Sequence, residues 1–290
     1  MQPAVPSRTA LRVALRRAAH QICDARPLIL DDPIAVPILG PYASELRRTP
    51  GSGHHRRPAQ RDLSHSVGLR ASLVARSRYA EDLLAEAVAG GVSQYVLLGA
   101  GLDTFAHRNP HRDLRVFEAD YSATQIWKRD LLELAGLPPP ASLSYVPIDL
   151  ETESLPEALR RAGHDSGRPS VFAWLGVVPY LTLEAFRSTL GFLAGQPRGS
   201  CVIFDYTLPR QALSGAERLA QDSLTERVRA AGEPFRLFFT PDEIRVELAA
   251  AGLTCKEDVG PPEVNARYFA DRSDGLRLLG NSARLATVVV

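Results

Sequence analysis

The chain has little cysteine, little lysine and no long apolar run. Its 290 residues contain three cysteines, one methionine and, of 34 basic residues, only two lysines. Cys23, Cys201 and Cys255 are far apart and form no CxxC pair, which excludes a disulfide framework or a zinc ribbon and points to a reducing, cytoplasmic setting. No apolar stretch reaches the roughly 18–20 residues that cross a bilayer, so a membrane protein is not expected. The N-terminus scatters Arg8, Arg12, Arg16 and Arg17 among Ala and Leu, which is unlike a signal peptide. A net charge of +1 lacks the basic excess of a dedicated nucleic-acid or membrane-surface binder. Three catalytic signatures are missing as well: the HExxH of zinc peptidases, the GxSxG of α/β-hydrolases and the GxxxxGK[ST] of P-loop nucleotidases.

What remains is a regular alternation of strands and helices. Helical patterns cover 8–24 and 66–88, the second stopped by Gly90-Gly91. Strand-like runs lie at 94–98, 115–118, 143–147, 170–175, 201–206, 254–258 and 284–290, with helical patterns at 122–135, 154–163, 182–195 and 241–251 between most of them. Such alternation predicts an α/β fold, a Rossmann-like, doubly wound, seven-stranded and mostly parallel sheet covered on both faces. An N-terminal helical or lid segment (1–92) would precede a core (93–290), and the long connection at about 207–240, helical near 216–230, reads as a cap insertion. The basic stretch 47–61 reads as a surface loop, either solvated or a lid for an anionic substrate.

Chemistry gathers at the ends of the predicted strands. Gly99-Ala100-Gly101 follows the first strand, where a missing Cβ lets backbone approach a ligand. Thr104 stands where a dinucleotide fingerprint would place its third glycine, which weakens a nicotinamide-dependent oxidoreductase reading. Glu118 and Asp120, each 19 residues after one of those glycines, end the second strand, as an acceptor for ribose hydroxyls would. Asp149, followed by Leu150, ends the third strand; it suits an exocyclic amine or a helix cap about equally. Trp174 near the end of the fourth strand, with Pro179 and Tyr180 beyond it, sits where a ligand crevice opens outside the strand ends, and Thr182 reads as a helix cap. Arg76 and Arg78 could grip a carboxylate in bidentate fashion or pair with Glu81 and Asp82.

The segments SRTAL at Ser7, RSRYAEDLL at Arg76, VLLGAGLDTFAHR at Val96, VFEADYS at Val116, VPIDLE at Val146, VVPYLT at Val177 and GEPFRLFFTPDEI at Gly232 occur in one order over most of the chain. In that order the sequence resembles class I S-adenosyl-L-methionine (SAM)-dependent methyltransferases of the leucine carboxyl methyltransferase type. The narrower likeness is to the bacterial branch with mycobacterial members and polyketide carboxyl O-methyltransferases. The resemblance implies that Gly99 and Gly101, in one turn with Ala100 and Asp103, line the methionine part of SAM. It implies that Asp120, or Glu118, binds the ribose, that Asp149 and Leu150 flank the adenine, and that Arg76, with Arg78 as second candidate, grips the cofactor carboxylate. Leu175 stands where many members carry Glu. The expected activity is O-methyl transfer to a carboxylate of a small metabolite, polyketide or peptide in secondary metabolism, with no nucleic-acid or membrane partner. A carboxylate is already ionised at neutral pH and needs no base, whereas a phenol would. Tyr206 and His107 are the candidate catalytic helpers, and Tyr180 and Tyr206 the candidate substrate contacts. The alternatives are a hydroxyl O-methyltransferase and a non-catalytic protein of the same fold, for which Leu175 is the one favouring feature.

Overall fold

The computed structural model describes residues 7–48 and 59–290. Seven strands, β1 (Gln94–Leu98), β2 (Arg115–Asp120), β3 (Leu143–Pro147), β4 (Val171–Trp174), β5 (Cys201–Thr207), β6 (Thr254–Val259) and β7 (Ala283–Val289), form one sheet in the order β3-β2-β1-β4-β5-β7-β6. The first five run parallel, and β7 is antiparallel to both β5 and β6. The expected strands all form, within a residue or two. The stretch 261–268, which the pattern left unassigned, is a helix.

Buried runs in β1 and β4, every residue of which is buried, are what a parallel strand covered on both faces requires. On one face Trp174, 0% exposed, stacks on Phe186 at 5.5 Å, among Phe204, Leu190 and Ile244. Burying each such side chain contributes about 1.5–3 kcal/mol. The other face is packed by α2 (Ala59–Ala89), through Ala71, Val74, Tyr79 and Leu84 against Tyr95, Leu97 and Val171. α2 begins seven residues before its expected start and ends where Gly91 takes φ +95° and Val92 N–H returns to the Ala87 carbonyl. Thus α2, the last helix of the N-terminal stretch 1–92, packs as a layer on the sheet. A third cluster joins α1 (Arg8–Cys23) and the 3-10 segment Pro37–Arg48 to α4 (Ser122–Leu134) through Ala14, Ala18, Ile38, Leu39 and Leu131. The basic stretch 47–61 falls largely outside the described residues.

The order places β1 beside β4, with the chain leaving β1 toward one edge and returning to start the other half. Ligands bind such sheets at this reversal, outside the carboxyl ends of the strands. Among the described residues no helix is long and apolar enough to cross a membrane.

Candidate cofactor and acceptor site

A cavity of about 310 Å³ opens at that reversal. Its floor is the end of β1 and the turn after it (97–103), the end of β2 (119–121), residues 148, 150 and 151 after β3, and residues 173, 175–177, 180 and 181 at and after the end of β4. Its roof is α1 (7, 9, 10, 13, 14 and 17) together with the loop 232–236, and Arg76 and Ser77 of α2 complete the wall.

The glycine turn is required by geometry. Gly99 takes φ +71° and Gly101 φ +52°, and a Cβ on Gly99 would lie 2.3 Å from Cγ2 of Val177. Gly99→Ala therefore combines a left-handed backbone cost of about 1–2 kcal/mol with an overlap that must displace the cavity wall. Calorimetric titration should show S-adenosylhomocysteine binding weakened by about tenfold or more; an affinity equal to wild type would remove the glycine requirement.

Asp120 closes the turn from β2. Its Oδ2 accepts the Gly101 N–H at 2.6 Å and its Oδ1 the Tyr121 N–H at 2.7 Å. Burial raises its carboxyl above the ordinary value, and the two N–H donors and nearby Lys128 oppose that shift. Glu118, the other candidate on β2, lies elsewhere. It is fully buried two residues deeper in the strand, paired to Lys128 Nζ at 2.6 Å in α4. Burial raises its carboxyl too, against the pull of Lys128.

The other expected residues separate in the same way. Ala100, Asp103, Leu150, Leu175, Tyr180 and Arg76 line the cavity; Arg78, Asp149, Tyr206 and His107 do not. Arg78 is 47% exposed and pairs with Asp82 at 2.6 Å, an i,i+4 contact on the outer face of α2. Asp149 accepts the Glu151 N–H at 2.9 Å and stands beside the hydroxyl of Tyr121, a cavity residue, while Leu150 next to it lines the cavity itself. Ser154, and not Asp149, occupies the N-cap of α5 (Leu155–Arg161). Tyr206 is buried with its hydroxyl donated to Asp258 at 2.8 Å, on the β6 side of the sheet. His107, in the short helix α3 (Phe105–Arg108), has both ring nitrogens buried without a partner, and burial plus nearby Lys128 push it down to about 4. A ring so lowered is neutral at physiological pH, and it is not among the residues that line the cavity. Thr182 is a cap, its Oγ1 accepting the Ala185 N–H at the start of α6 (Leu183–Ala194).

Several cavity residues had not been singled out in the sequence. Arg17 of α1 is 4% exposed and donates to Asp103, to Asp32 at 2.8 Å and to Thr104 Oγ1 at 3.2 Å. Thr104, the departure from the dinucleotide fingerprint, spends its hydroxyl on Asp32 at 2.6 Å. The signal for Arg17 was present: with Ala10, Ala14 and Gln21 it forms one helical face, and an arginine there needs buried acids. Glu233 of the loop after α7 (Gly215–Ala230) accepts the Thr9 N–H at 3.0 Å, tying the two roof pieces together. Glu151 accepts both the backbone N–H and the hydroxyl of Thr182 (2.8 and 3.0 Å) and lies 3.6 Å from Arg236. Arg236 N–H in turn donates to the Pro179 carbonyl at 2.6 Å, docking the loop beside Tyr180, whose ring meets Phe235 at 5.0 Å. Burial pushes the Tyr180 hydroxyl up to about 12. No described group of three or more His, Cys, Asp or Glu could hold a metal ion.

Comparison with known proteins agrees with this geometry. The family model described as leucine carboxyl methyltransferase matches residues 10–194. A Bacillus subtilis protein named "Putative S-adenosyl-L-methionine-dependent methyltransferase YktD" is 34% identical over 213 residues, 72% of this chain and 70% of its own. A Mycobacterium bovis protein described in the same words, without the final symbol, is 35% identical over 181 residues; the match spans 61% of this chain and 58% of that relative's length. A Streptomyces avermitilis crystal structure, titled as a duf574 family protein, shares the fold with a TM-score of 0.56 at 20% identity, covering 82% of this chain and 93% of that one. The carboxylate at Asp120 and the apolar Leu150, both in the cavity wall, suit the nucleoside of such a cofactor, and the glycine turn beside them suits its methionine part. The chain belongs to the leucine carboxyl methyltransferase family of SAM-dependent methyltransferases, and SAM is its cofactor.

Proposed function

We propose that this methyltransferase acts on the carboxylate of a small molecule, a metabolite, polyketide or peptide, in secondary metabolism. The observation that carries the reading is the polar content of the cavity. Its described lining contains no histidine, lysine or cysteine that could serve as a base, and the guanidinium of Arg236 stands half exposed beside Tyr180, with Glu151 at 3.6 Å. A guanidinium so placed can receive a planar anion. An ionised carboxylate needs only alignment, and neutral Tyr180 beside it can donate a hydrogen bond. The secondary-metabolism role rests on the resemblance to polyketide carboxyl O-methyltransferases, and a cytoplasmic location on the three free cysteines.

The bound cofactor supplies a sulfonium with an electrophilic methyl group. The residues divide the remaining work. Asp120 would accept from the ribose hydroxyls, the backbone of 99–101 would lie along the methionine part, Ile148 and Leu150 would flank the adenine, and Arg76 would face the cofactor's carboxylate. α1 and the cap insertion, joined by Thr9 and Glu233, cover the site and exclude water.

The test offers isotopically labelled SAM with a panel of aromatic and aliphatic carboxylic acids and the matching phenols and alcohols. The expected product is a base-labile methyl ester, formed at a rate nearly flat across neutral pH because carboxylates are fully ionised there, with Arg236→Gln raising the acceptor KM and leaving S-adenosylhomocysteine affinity unchanged. Base-stable ethers formed faster with rising pH would establish the hydroxyl alternative instead.

A further inference from the structure

The guanidinium of Arg76 is aimed by a carboxylate that lies outside the cavity. Its Nη1 donates to Asp205 Oδ2 at 3.0 Å, and Asp205 Oδ1 accepts the backbone N–H of Gly176. Asp205 lies on β5 one residue beyond the last registered β4–β5 pair, Trp174–Phe204, and so stands across from Leu175. Neither side chain is free to wander: Arg76 is 16% and Asp205 13% exposed. Gly176, φ +72°, makes the approach possible, since a Cβ there would lie 2.6 Å from Nη2 of Arg76. A helix, a strand end and a turn therefore converge on one guanidinium. A partly buried ion pair is a weak source of stability, but it fixes the plane of an arginine fork.

We propose that Asp205 is a positioning residue for the amino-acid end of SAM, acting through Arg76. This rests on the reading that the cavity takes the cofactor with Arg76 toward its carboxylate. With one nitrogen engaged by Asp205, the guanidinium presents its remaining N–H groups to the cavity in a fixed orientation. Asp205 also offsets the positive charge, so the wall matches a zwitterion, carboxylate with ammonium, better than a simple anion. Gly176 is part of the device because it carries no side chain against the fork.

The experiment compares S-adenosylhomocysteine with 5′-methylthioadenosine, which keeps the nucleoside and thioether but lacks the amino-acid end. Both are titrated calorimetrically into wild type, Asp205→Asn, Arg76→Gln and the double variant. Wild type should bind S-adenosylhomocysteine more tightly. Asp205→Asn should weaken it by about tenfold and leave 5′-methylthioadenosine unchanged, and the double variant should be no weaker than Arg76→Gln alone. Equal loss of both ligands, no loss, or additive losses in the double variant would overturn the proposal. A wild type that binds neither ligand would instead remove the cofactor reading, and an Arg76→Gln variant with full affinity would remove Arg76 from it. If Asp205→Asn does not fold, Gly176→Ala, which presses on the same guanidinium, should give the same split between ligands; equal affinity for both would overturn the proposal.

Discussion

Asp120→Ala is expected to weaken S-adenosylhomocysteine binding by about 10- to 100-fold, the worth of a hydrogen bond to a charged group, about 1.5–3 kcal/mol. The loss has two sources. The carboxylate would no longer accept from the ribose, and the Gly101 and Tyr121 N–H groups it now organises would be left without their acceptor. Asp120→Asn should fall between, because an amide oxygen can keep one of those donors. Since burial raises this carboxyl, wild-type affinity should decline on acidification at a higher pH than an exposed aspartate would give. Calorimetry across the acid range measures both effects, with thermal unfolding confirming that each variant folds. An Asp120→Ala variant with wild-type affinity would move the ribose site elsewhere.

Arg17→Met should be strongly destabilising. It removes the guanidinium that pairs with both the buried Asp32 and the half-buried Asp103, leaving Arg108 at 3.6 Å as the remaining cation on Asp32, a break that costs about 3 kcal/mol, or on the order of 10 °C in Tm. The pH dependence carries the signature. Burial alone would raise Asp103, but Arg17, Arg108, Lys128 and the Phe105 N–H together hold it well below the usual carboxylate range. A depressed acid contributes stability that is present above its unfolded value, about 3.9, and is lost as pH falls below it. Wild type should therefore lose this contribution in acid. The variant lacks it at neutral pH, so the gap between them should narrow as pH falls. Thermal denaturation by circular dichroism at neutral and acid pH checks this; a constant gap would mean that the stability of Arg17 comes from packing its aliphatic stem.

The fold was legible because its signals are local. Continuous apolar runs gave β1 and β4, paired glycines stopped α2, and Thr182 capped α6. The site was legible only in part, because distance along a strand and the face of its last residue decide function. Glu118 and Asp120 share a face, yet two residues, roughly 6–7 Å, separate a core ion pair from the cavity. Tyr206 and Asp205 are neighbours on β5, and alternation sends the first to Asp258 and the second to Arg76. In the sequence the tyrosine stood out as a candidate helper and substrate contact, and its neighbour did not. Arg17 was legible only in part: its place on the apolar face of α1 was readable, but the acids that pair with it lie 15 and 86 residues away and nothing local points to them.

The antiparallel β7 occupies an interior position, between β5 and β6. Because β6 is made before β7 and has no other neighbour in the sheet, it waits for its partner during synthesis. Until residues 283–289 emerge, β5 keeps an open edge and β6 has nothing to pair with. This order of emergence sets completion of the sheet as a late event on the ribosome, with the parallel strands around the cofactor cavity made first. A nascent chain halted before β7 would expose the side of β5 on which Ala286 and Val288 are buried, an unpaired edge of the kind that chaperones hold and that drives aggregation.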